Sequence, residues 1–284
     1  MQGGAAGTCS LTPDAIAELF DQRADTYDAS ASHRWQAKLA AEMAAPAPDA
    51  HVLDVACGTG LATLASAQLM GGAQQQHQQS AAGTLTGVDI SEGMLSVARQ
   101  NSSALSNVRF VRADAAQLPF ASNAFDVVLV VAAQPYLPDV DAAMTEWKRV
   151  LRPGRGRIVL TTLADDEQTA SALLRAAAAQ HGIDVPQPNA GLGSESAVRA
   201  FAQRHALRCD DAQPHFFAEP VSGEARPNAD IVMRYGFADA LRDAPESLRE
   251  KVLTHFAASF NEAKRARQGG HKILFTRFSL QQPG

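Results

Sequence analysis

Residues 52–60 read Val-Leu-Asp-Val-Ala-Cys-Gly-Thr-Gly, and this stretch decides the fold. An apolar run that predicts a buried strand ends in a turn with two glycines, and a helical pattern begins directly after it. Gly58 and Gly60 allow backbone conformations that other residues avoid, and they let a ligand approach the main chain. Because ligands of open parallel sheets lie at the carboxyl ends of strands, we expect a binding site at this turn.

Strands and helices alternate along the chain around this turn. Short β-branched runs predict strands, and the segments between them have helical spacing. We expect strands at 51–55, 85–90, 107–112, 125–131, 157–161, 207–219 and 272–280, and helices at 61–70, 91–100, 141–151, 170–180, 194–205 and 247–267. Such an order is typical of an α/β fold with a parallel sheet that helices cover on both faces.

Two segments lie outside this alternation. Residues 12–14, Thr-Pro-Asp, provide the capping side chain, the first-turn proline and the acidic residue that begin a helix. A second helix is expected to carry Trp35, Leu39 and Met43 at four-residue steps. Residues 71–83, GGAQQQHQQSAAG, have low complexity and predict a surface loop, and the single His77 within them is not enough for a metal site.

The composition is that of a globular protein, with 284 residues, 46% hydrophobic and 19% charged. The net charge of -5 provides no general basic surface, so we expect no nucleic-acid partner. The three cysteines are widely separated, which disfavours a disulfide framework and a metal site. The small, polar start and the lack of a run of about 18 apolar residues predict a cytoplasmic protein without a membrane span.

Three features distinguish the kinds of ligand that such a glycine turn can bind. A dinucleotide fingerprint requires a third glycine at the position of Thr63, so the pyrophosphate interpretation is weakened. Asp54 lies inside the motif, where a carboxylate favours a cationic amino group over a pyrophosphate. Asp89 ends the second strand, where a carboxylate can accept hydrogen bonds from both ribose hydroxyls.

These motifs resemble those of the class I S-adenosylmethionine-dependent methyltransferases, close to the group called methyltransferase type 11. LDVACGTG at 53–60 is similar to the glycine motif of that family, and GVDIS at 87–91 to its ribose motif. RADAAQLPF at 112–120, with FDVV at 125–128, is similar to the third motif. The resemblance covers about residues 20–162 and implies a Rossmann-like three-layer sandwich with a seven-stranded, mostly parallel sheet whose last strand is antiparallel.

The chain departs from the family pattern at two places. LRPGRGRI at 151–158 holds one residue more than the usual sequence of that turn, and residues 71–83 are an insertion. Both departures fall in predicted turns, so the fold that the resemblance implies is unaffected.

The resemblance implies S-adenosyl-L-methionine as the cofactor and assigns residues to its methionine part. Asp54, Ala56, Gly58 and Gly60 would shape the cavity around that part. Tyr27, in the segment Ala-Asp-Thr-Tyr-Asp, is similar to an N-terminal tyrosine that closes over the cofactor.

The adenosine part is assigned in the same way. Asp89 would hold the ribose, and Ile90 or Met94 would pack on the adenine. Asp114 would accept a hydrogen bond from the adenine amino group, with the backbone of Ala115 nearby. Ordinary core packing of Met94 and a simple strand-end turn at Asp114 remain alternatives.

No catalytic residue is predicted. Gln134 and Tyr136 follow the fourth strand, where an acceptor is expected, but they are equally consistent with a pocket wall or a loop filler. His33 and His215 are candidate bases, although an isolated histidine is more often structural. The arginine-asparagine pair of the quinone-modifying relatives is absent after this strand, which counts against a quinone acceptor.

The sequence therefore predicts a methyltransferase that acts on a small-molecule acceptor. Residues 1–11 are expected to be disordered, and 12–284 to form one domain, with cover helices at 12–48, a cofactor-binding core at 49–163, and substrate cover with sheet completion at 164–284. The aromatic residues of the last part are candidates for pocket walls or core: Phe216, Phe217, Tyr235, Phe237 and Phe256. A non-catalytic S-adenosylmethionine-binding protein and a nicotinamide-dependent dehydrogenase are the alternatives, and the oligomeric state is not predicted.

Overall fold

A computed structural model describes residues 11–71, 83–164, 170–186, 191–218, 238–266 and 270–281. The strands are β1 (His51–Val55), β2 (Thr84–Asp89), β3 (Val108–Arg112), β4 (Val127–Val130), β5 (Arg157–Leu163), β6 (Leu207–Ala218) and β7 (Gly270–Leu280). The helices are α1 (Pro13–Asp21), α2 (Ala24–Tyr27), α3 (Ala31–Ala44), α4 (Leu61–Leu69), α5 (Glu92–Asn101), α6 (Val140–Val150), α7 (Ala170–Gln180), α8 (Glu195–Arg204), α9 (Asp239–Arg242) and α10 (Glu246–Arg265).

The seven strands form one sheet in the order β3-β2-β1-β4-β5-β7-β6. All neighbours from β3 to β5 are parallel, and β7 runs antiparallel to both β5 and β6. The predicted Rossmann-like fold, with its seven-stranded and mostly parallel sheet, is thereby confirmed. The strand order reverses between β1 and β4, which is where open α/β sheets bind ligands.

The central strands are buried on both faces, because helices cover both sides of the sheet. Leu53 and Val55 pack into a core cluster that includes Trp147 of α6 and Phe201 of α8. Val52 of the same strand belongs to a second cluster, which contains alanines of α3 and α4. A third cluster joins α7 to α9 and α10.

Helix α3 packs differently from its predicted pattern. Its buried residues include Ala37, Ala40 and Ala44, whereas the predicted stripe is only partly buried at the edge of that cluster: Trp35, Leu39 and Met43. Small side chains bring the helix axis close to the sheet, so the large residues are left at the flanks. The turn at 152–156 accommodates the extra residue, and Arg155 in it forms a 2.7 Å ion pair with Asp126.

Several predictions fall outside the described residues. These are residues 1–10 of the expected disordered start, residues 72–82 of the expected loop, and Tyr235 and Phe237. Phe256 belongs to the cluster of α7 and α10, and Phe216 is exposed on β6. Within the described ranges, no helix is long and apolar enough to cross a membrane, and no histidine, cysteine and carboxylate cluster could hold a metal ion.

Candidate functional site

The turn between β1 and α4 has an unusual backbone. Ala56, Gly58 and Gly60 have φ values of +52°, +54° and +85°, all in the left-handed region. The Cys57 amide donates to the Val88 carbonyl at 2.9 Å, which fastens the turn to the end of β2. A left-handed alanine is uncommon and costs free energy, so its presence indicates a turn that the surrounding structure holds in place.

Asp89 connects this turn to the end of β2. Its Oδ2 accepts from the Gly58 amide at 2.8 Å, and its Oδ1 accepts from the Ser91 amide at 2.9 Å. The residue is 8% exposed, and burial raises the pKa of its carboxyl against the opposing effect of these hydrogen bonds. A carboxylate offers about four acceptor positions, so Asp89 retains acceptor capacity for a ligand hydroxyl beside the backbone amides of Gly58, Ser91 and Ile90.

Asp54 lies behind the turn and does not line the cavity that the turn borders. It is 2% exposed, and its Oδ2 accepts from the Thr63 hydroxyl at 2.7 Å. Burial raises the pKa of Asp54 to about 7. Thr63, which takes the place of the third glycine of a dinucleotide fingerprint, is therefore the hydrogen-bond partner of this carboxyl.

Gly60 also lies off the cavity. It is the residue before α4, and a Cβ at this position would lie 3.2 Å from the Phe110 ring. Asp54 and Gly60 thus shape the turn from behind and are placed away from direct contact with a ligand in the cavity.

The adenosine-side residues are brought together at the ends of β2 and β3. Ile90, Met94, Asp114 and Ala115 all line the cavity with Asp89. Asp114 Oδ1 accepts from the Ala116 amide at 2.8 Å, which is the turn role, and the residue faces the cavity as well. Trp147 Nε1 donates to the Ala115 carbonyl at 3.1 Å and so fixes this loop on the core.

The N-terminal helices cover the cavity through two acidic residues that the sequence did not reveal. At the end of α1, Asp21 Oδ1 accepts from the Ser91 hydroxyl at 2.5 Å and from the Gly93 amide at 2.8 Å. After α2, Asp28 accepts from the Thr59 hydroxyl and, at 3.0 Å, from Asn101 Nδ2. The sequence shows acidic residues at helix ends, but it does not show which distant residues they bind, so Asp21 and Asp28 were not predicted.

Tyr27 lies over the glycine turn. A Cβ at Gly58 would be 3.7 Å from Tyr27 Cε1, and the Tyr27 ring stacks on His33 with centroids 4.3 Å apart. Burial raises the pKa of the Tyr27 hydroxyl, and the nearby Tyr136 raises it further. The phenol therefore stays protonated and can donate a hydrogen bond. The tyrosine is therefore placed as a cover over the methionine end of the predicted site.

The cavity and its open mouth together enclose about 710 Å³. It is lined by eight of the ten predicted residues: Tyr27, Ala56, Gly58, Asp89, Ile90, Met94, Asp114 and Ala115. The remaining lining residues are mostly apolar and come from α1, from the loop after β3, and from the segment after β4: Pro13, Ile16, Phe20, Ala113, Val131, Ala132, Ala133, Tyr136, Leu137 and Pro138. The apolar spacing of α1 is the sequence feature that could have indicated that Pro13, Ile16 and Phe20 line the cavity.

Of the four residues predicted as candidates for contact with the acceptor, only Tyr136 lines the cavity. Tyr136 lines the cavity and packs edge-on against Phe20 at 4.9 Å. Gln134 is 2% exposed and lies outside the lining. His33 lies behind Tyr27, and His215 packs on Phe275 within the β6–β7 pair, so neither histidine lines the cavity.

Comparison with known proteins identifies the kind of domain that the middle of the chain resembles. Residues 53–160 match the model of a protein family described as a methyltransferase domain. The chain is 38% identical over 110 residues to demethylmenaquinone methyltransferase of Staphylococcus aureus, a match that covers 39% of this chain and 42% of that enzyme. The match thus spans less than half the length of such relatives.

Two solved structures extend the similarity to nearly the whole fold. The [4+2]-cyclase SpnF is similar with a TM-score of 0.59 and 16% identity, covering 98% of this chain and 100% of that one. An N-methyltransferase of Haemonchus contortus, in complex with phosphomonomethylethanolamine and S-adenosylhomocysteine, has a TM-score of 0.58 and 16% identity, covering 96% of this chain and 61% of that one. At these identities the likeness concerns the fold alone.

Proposed function

We propose that this chain, whose residues 53–160 match the model of a methyltransferase domain, is a class I S-adenosylmethionine-dependent methyltransferase that transfers a methyl group from S-adenosyl-L-methionine to a small-molecule acceptor. The observation that carries the proposal is the arrangement of Asp89. Its buried carboxylate binds the Gly58 amide at 2.8 Å and faces a cavity whose other end is apolar. One wall of the cavity thus matches a ribose, and the other matches an organic acceptor.

The residues present fit the cofactor. Asp89 keeps acceptor capacity beside its backbone hydrogen bonds, which suits a ribose hydroxyl. Asp114 provides a carboxylate beside the apolar side chains of Ile90 and Met94, which suits a purine with an exocyclic amino group. The carboxylate of Asp89 makes this end of the cavity favourable for an ammonium or sulfonium group.

The protein groups have a limited task in such a reaction. The sulfonium, when bound, supplies an activated methyl group for in-line displacement. The chain must therefore position the acceptor near that methyl group and exclude water. Phe20 and Tyr136 pack on each other at the acceptor end and shield it, and the site needs a base only if the acceptor loses a proton.

The acceptor end supports a small molecule with an apolar body. Pro13, Ile16 and Phe20 of α1 face Leu137 and Pro138 across the cavity, and Tyr136 adds a polar hydroxyl. The predicted cover role of 164–284, the absence of a nucleic-acid partner and a cytoplasmic location remain predictions. We do not propose the quinone acceptor that the name of the Staphylococcus aureus relative implies, because the segment after β4 lacks the arginine-asparagine pair of the quinone-modifying enzymes.

A catalytic role and simple cofactor binding are separated by one experiment. Calorimetry with S-adenosylhomocysteine and with NAD measures which cofactor the full chain binds. A metabolite extract with methyl-labelled S-adenosylmethionine then reports methyl transfer, with the Asp89→Ala variant as the control.

We expect binding of S-adenosylhomocysteine, no binding of NAD, and label in a small molecule that the variant does not produce. Binding without any transfer would favour the non-catalytic alternative or another reaction, and it is relevant that one structural neighbour is a cyclase. Binding of NAD alone would support the dehydrogenase.

A further inference from the structure

Arg23 lies between α1 and α2, directly behind the aromatic wall of the cavity. Its guanidinium carbon is 5.2 Å from the centroid of the Phe20 ring and 5.8 Å from that of the Tyr27 ring. Both rings line the cavity. The spacings of three and four residues place the three side chains on one side of the chain, so the cation stands at the Tyr27 end of the site.

The guanidinium is incompletely paired. Nη1 of Arg23 is buried and has no hydrogen-bond partner among the described residues. A buried donor of a charged group without an acceptor is costly, and a guanidinium offers five donors suited to a carboxylate. An anionic acceptor beside Nη1 would therefore stabilise this guanidinium.

The charges on the cavity wall are of one sign. The described lining residues include the carboxylates of Asp89 and Asp114 and no lysine, arginine or histidine. Arg34 is exposed and donates to the Asp28 carbonyl, and Arg112 is exposed and donates to the Ile90 carbonyl at the far end. A ligand carboxylate near Gly58 would meet repulsion unless Arg23 compensates it.

We propose that Arg23 binds the amino-acid carboxylate of the cofactor, an inference that rests on the function proposed above. Tyr27 connects the two places, since it contacts the glycine turn on one side and Arg23 on the other. The donor available for this carboxylate is Nη1, which has no partner among the described residues, and the two rings beside the guanidinium line the cavity. A planar guanidinium then binds a carboxylate through two parallel hydrogen bonds.

The test compares two ligands that differ in one group. S-adenosylhomocysteine has the carboxylate, and its decarboxylated analogue keeps the ammonium and lacks the carboxylate. Calorimetry measures both dissociation constants for the full chain and for Arg23→Met, Arg23→Lys and Arg99→Met. Arg99 pairs with Glu92 on the surface of α5, so its replacement removes the same charge away from the cavity.

We expect the preference for S-adenosylhomocysteine over the analogue to fall about 10- to 100-fold in Arg23→Met, as for loss of a charged hydrogen bond. Arg23→Lys should fall between, and Arg99→Met should keep the wild-type preference. Equal weakening of both ligands, or an unchanged preference, would overturn the role of Arg23, because general distortion affects both ligands alike. If the wild-type chain binds neither ligand, the proposed function itself fails.

Discussion

The buried carboxyl of Asp54 makes the stability of the ligand-free protein depend on pH. Its pKa is about 7 in the folded chain, against 3.8 for the ordinary side chain, because burial disfavours the charged form. The folded state thus keeps a proton that the unfolded state has released, and stability falls as pH rises from about 4 to 7. The full difference corresponds to about 4 kcal/mol, at about 1.4 kcal/mol for each pH unit.

The substitution Asp54→Asn removes this dependence and keeps an oxygen that can accept from the Thr63 hydroxyl. Between pH 5.5 and pH 8.5 the wild-type carboxyl loses about 2 kcal/mol, since its contribution stops changing above its folded pKa. The free energy of unfolding of the variant, relative to wild type, should therefore improve by about 2 kcal/mol over this interval. Urea unfolding followed by tryptophan fluorescence measures it, because Trp147 is fully buried.

Asp126→Asn is the matched control. Asp126 forms ion pairs with Arg152 and Arg155, and the pKa of its carboxyl is lowered from 3.8, with hydrogen bonds from His51 and Arg152 outweighing its burial. It is ionised in both states across the interval, so its loss should cost the same at both pH values. If Asp54→Asn also changed stability equally at pH 5.5 and pH 8.5, the assigned protonation of the buried carboxyl would be wrong.

Four further outcomes follow from the geometry. Asp89→Ala should weaken S-adenosylhomocysteine binding by about 1.5–3 kcal/mol, and unchanged affinity in calorimetry on a folded variant would refute its ribose role. Gly87→Ala places a Cβ 2.5 Å from the Phe110 ring and should lower the free energy of unfolding by about 3 kcal/mol. Gly154→Ala has a φ of +82° and no atom within 4 Å of the new Cβ, so it should lower that free energy by only about 1 kcal/mol in urea unfolding. Asp28→Ala should increase proteolysis of the N-terminal helices and weaken cofactor binding about tenfold, because Thr59 and Asn101 lose a charged acceptor. Proteolysis equal to that of the wild type would contradict the role of Asp28 in holding these helices on the core. Deletion of residues 74–79 should leave affinity unchanged, and a large loss would assign the insertion a function.

The core of the fold was predictable because local pattern and global structure agree there. The strands at 51–55 and 84–89 are buried at every position after the first, and the capping residue Ser91 fixes the start of α5. The glycine turn and the carboxylate at the end of β2 follow from the same local signals. Eight of the predicted site residues consequently meet in one cavity.

The remaining features depend on contacts between distant segments. Burial of Asp54 behind the turn, and its absence from the cavity lining, depend on Thr63 and on the packing of α4. The left-handed backbone of Ala132 at the cavity wall goes with a hydrogen bond from its amide to the Thr161 hydroxyl, 29 residues away. No short window of sequence around Ala132 contains that information.

A single stretch from Pro13 to Tyr27 contributes to both ends of the cavity, because it supplies the tyrosine above the glycine turn and the apolar side chains of the acceptor end. Placement of this stretch by a bound cofactor would complete both ends together. We therefore expect compulsory-order kinetics in which S-adenosylmethionine binds first and S-adenosylhomocysteine leaves last. S-adenosylhomocysteine should then compete with S-adenosylmethionine and not with the acceptor.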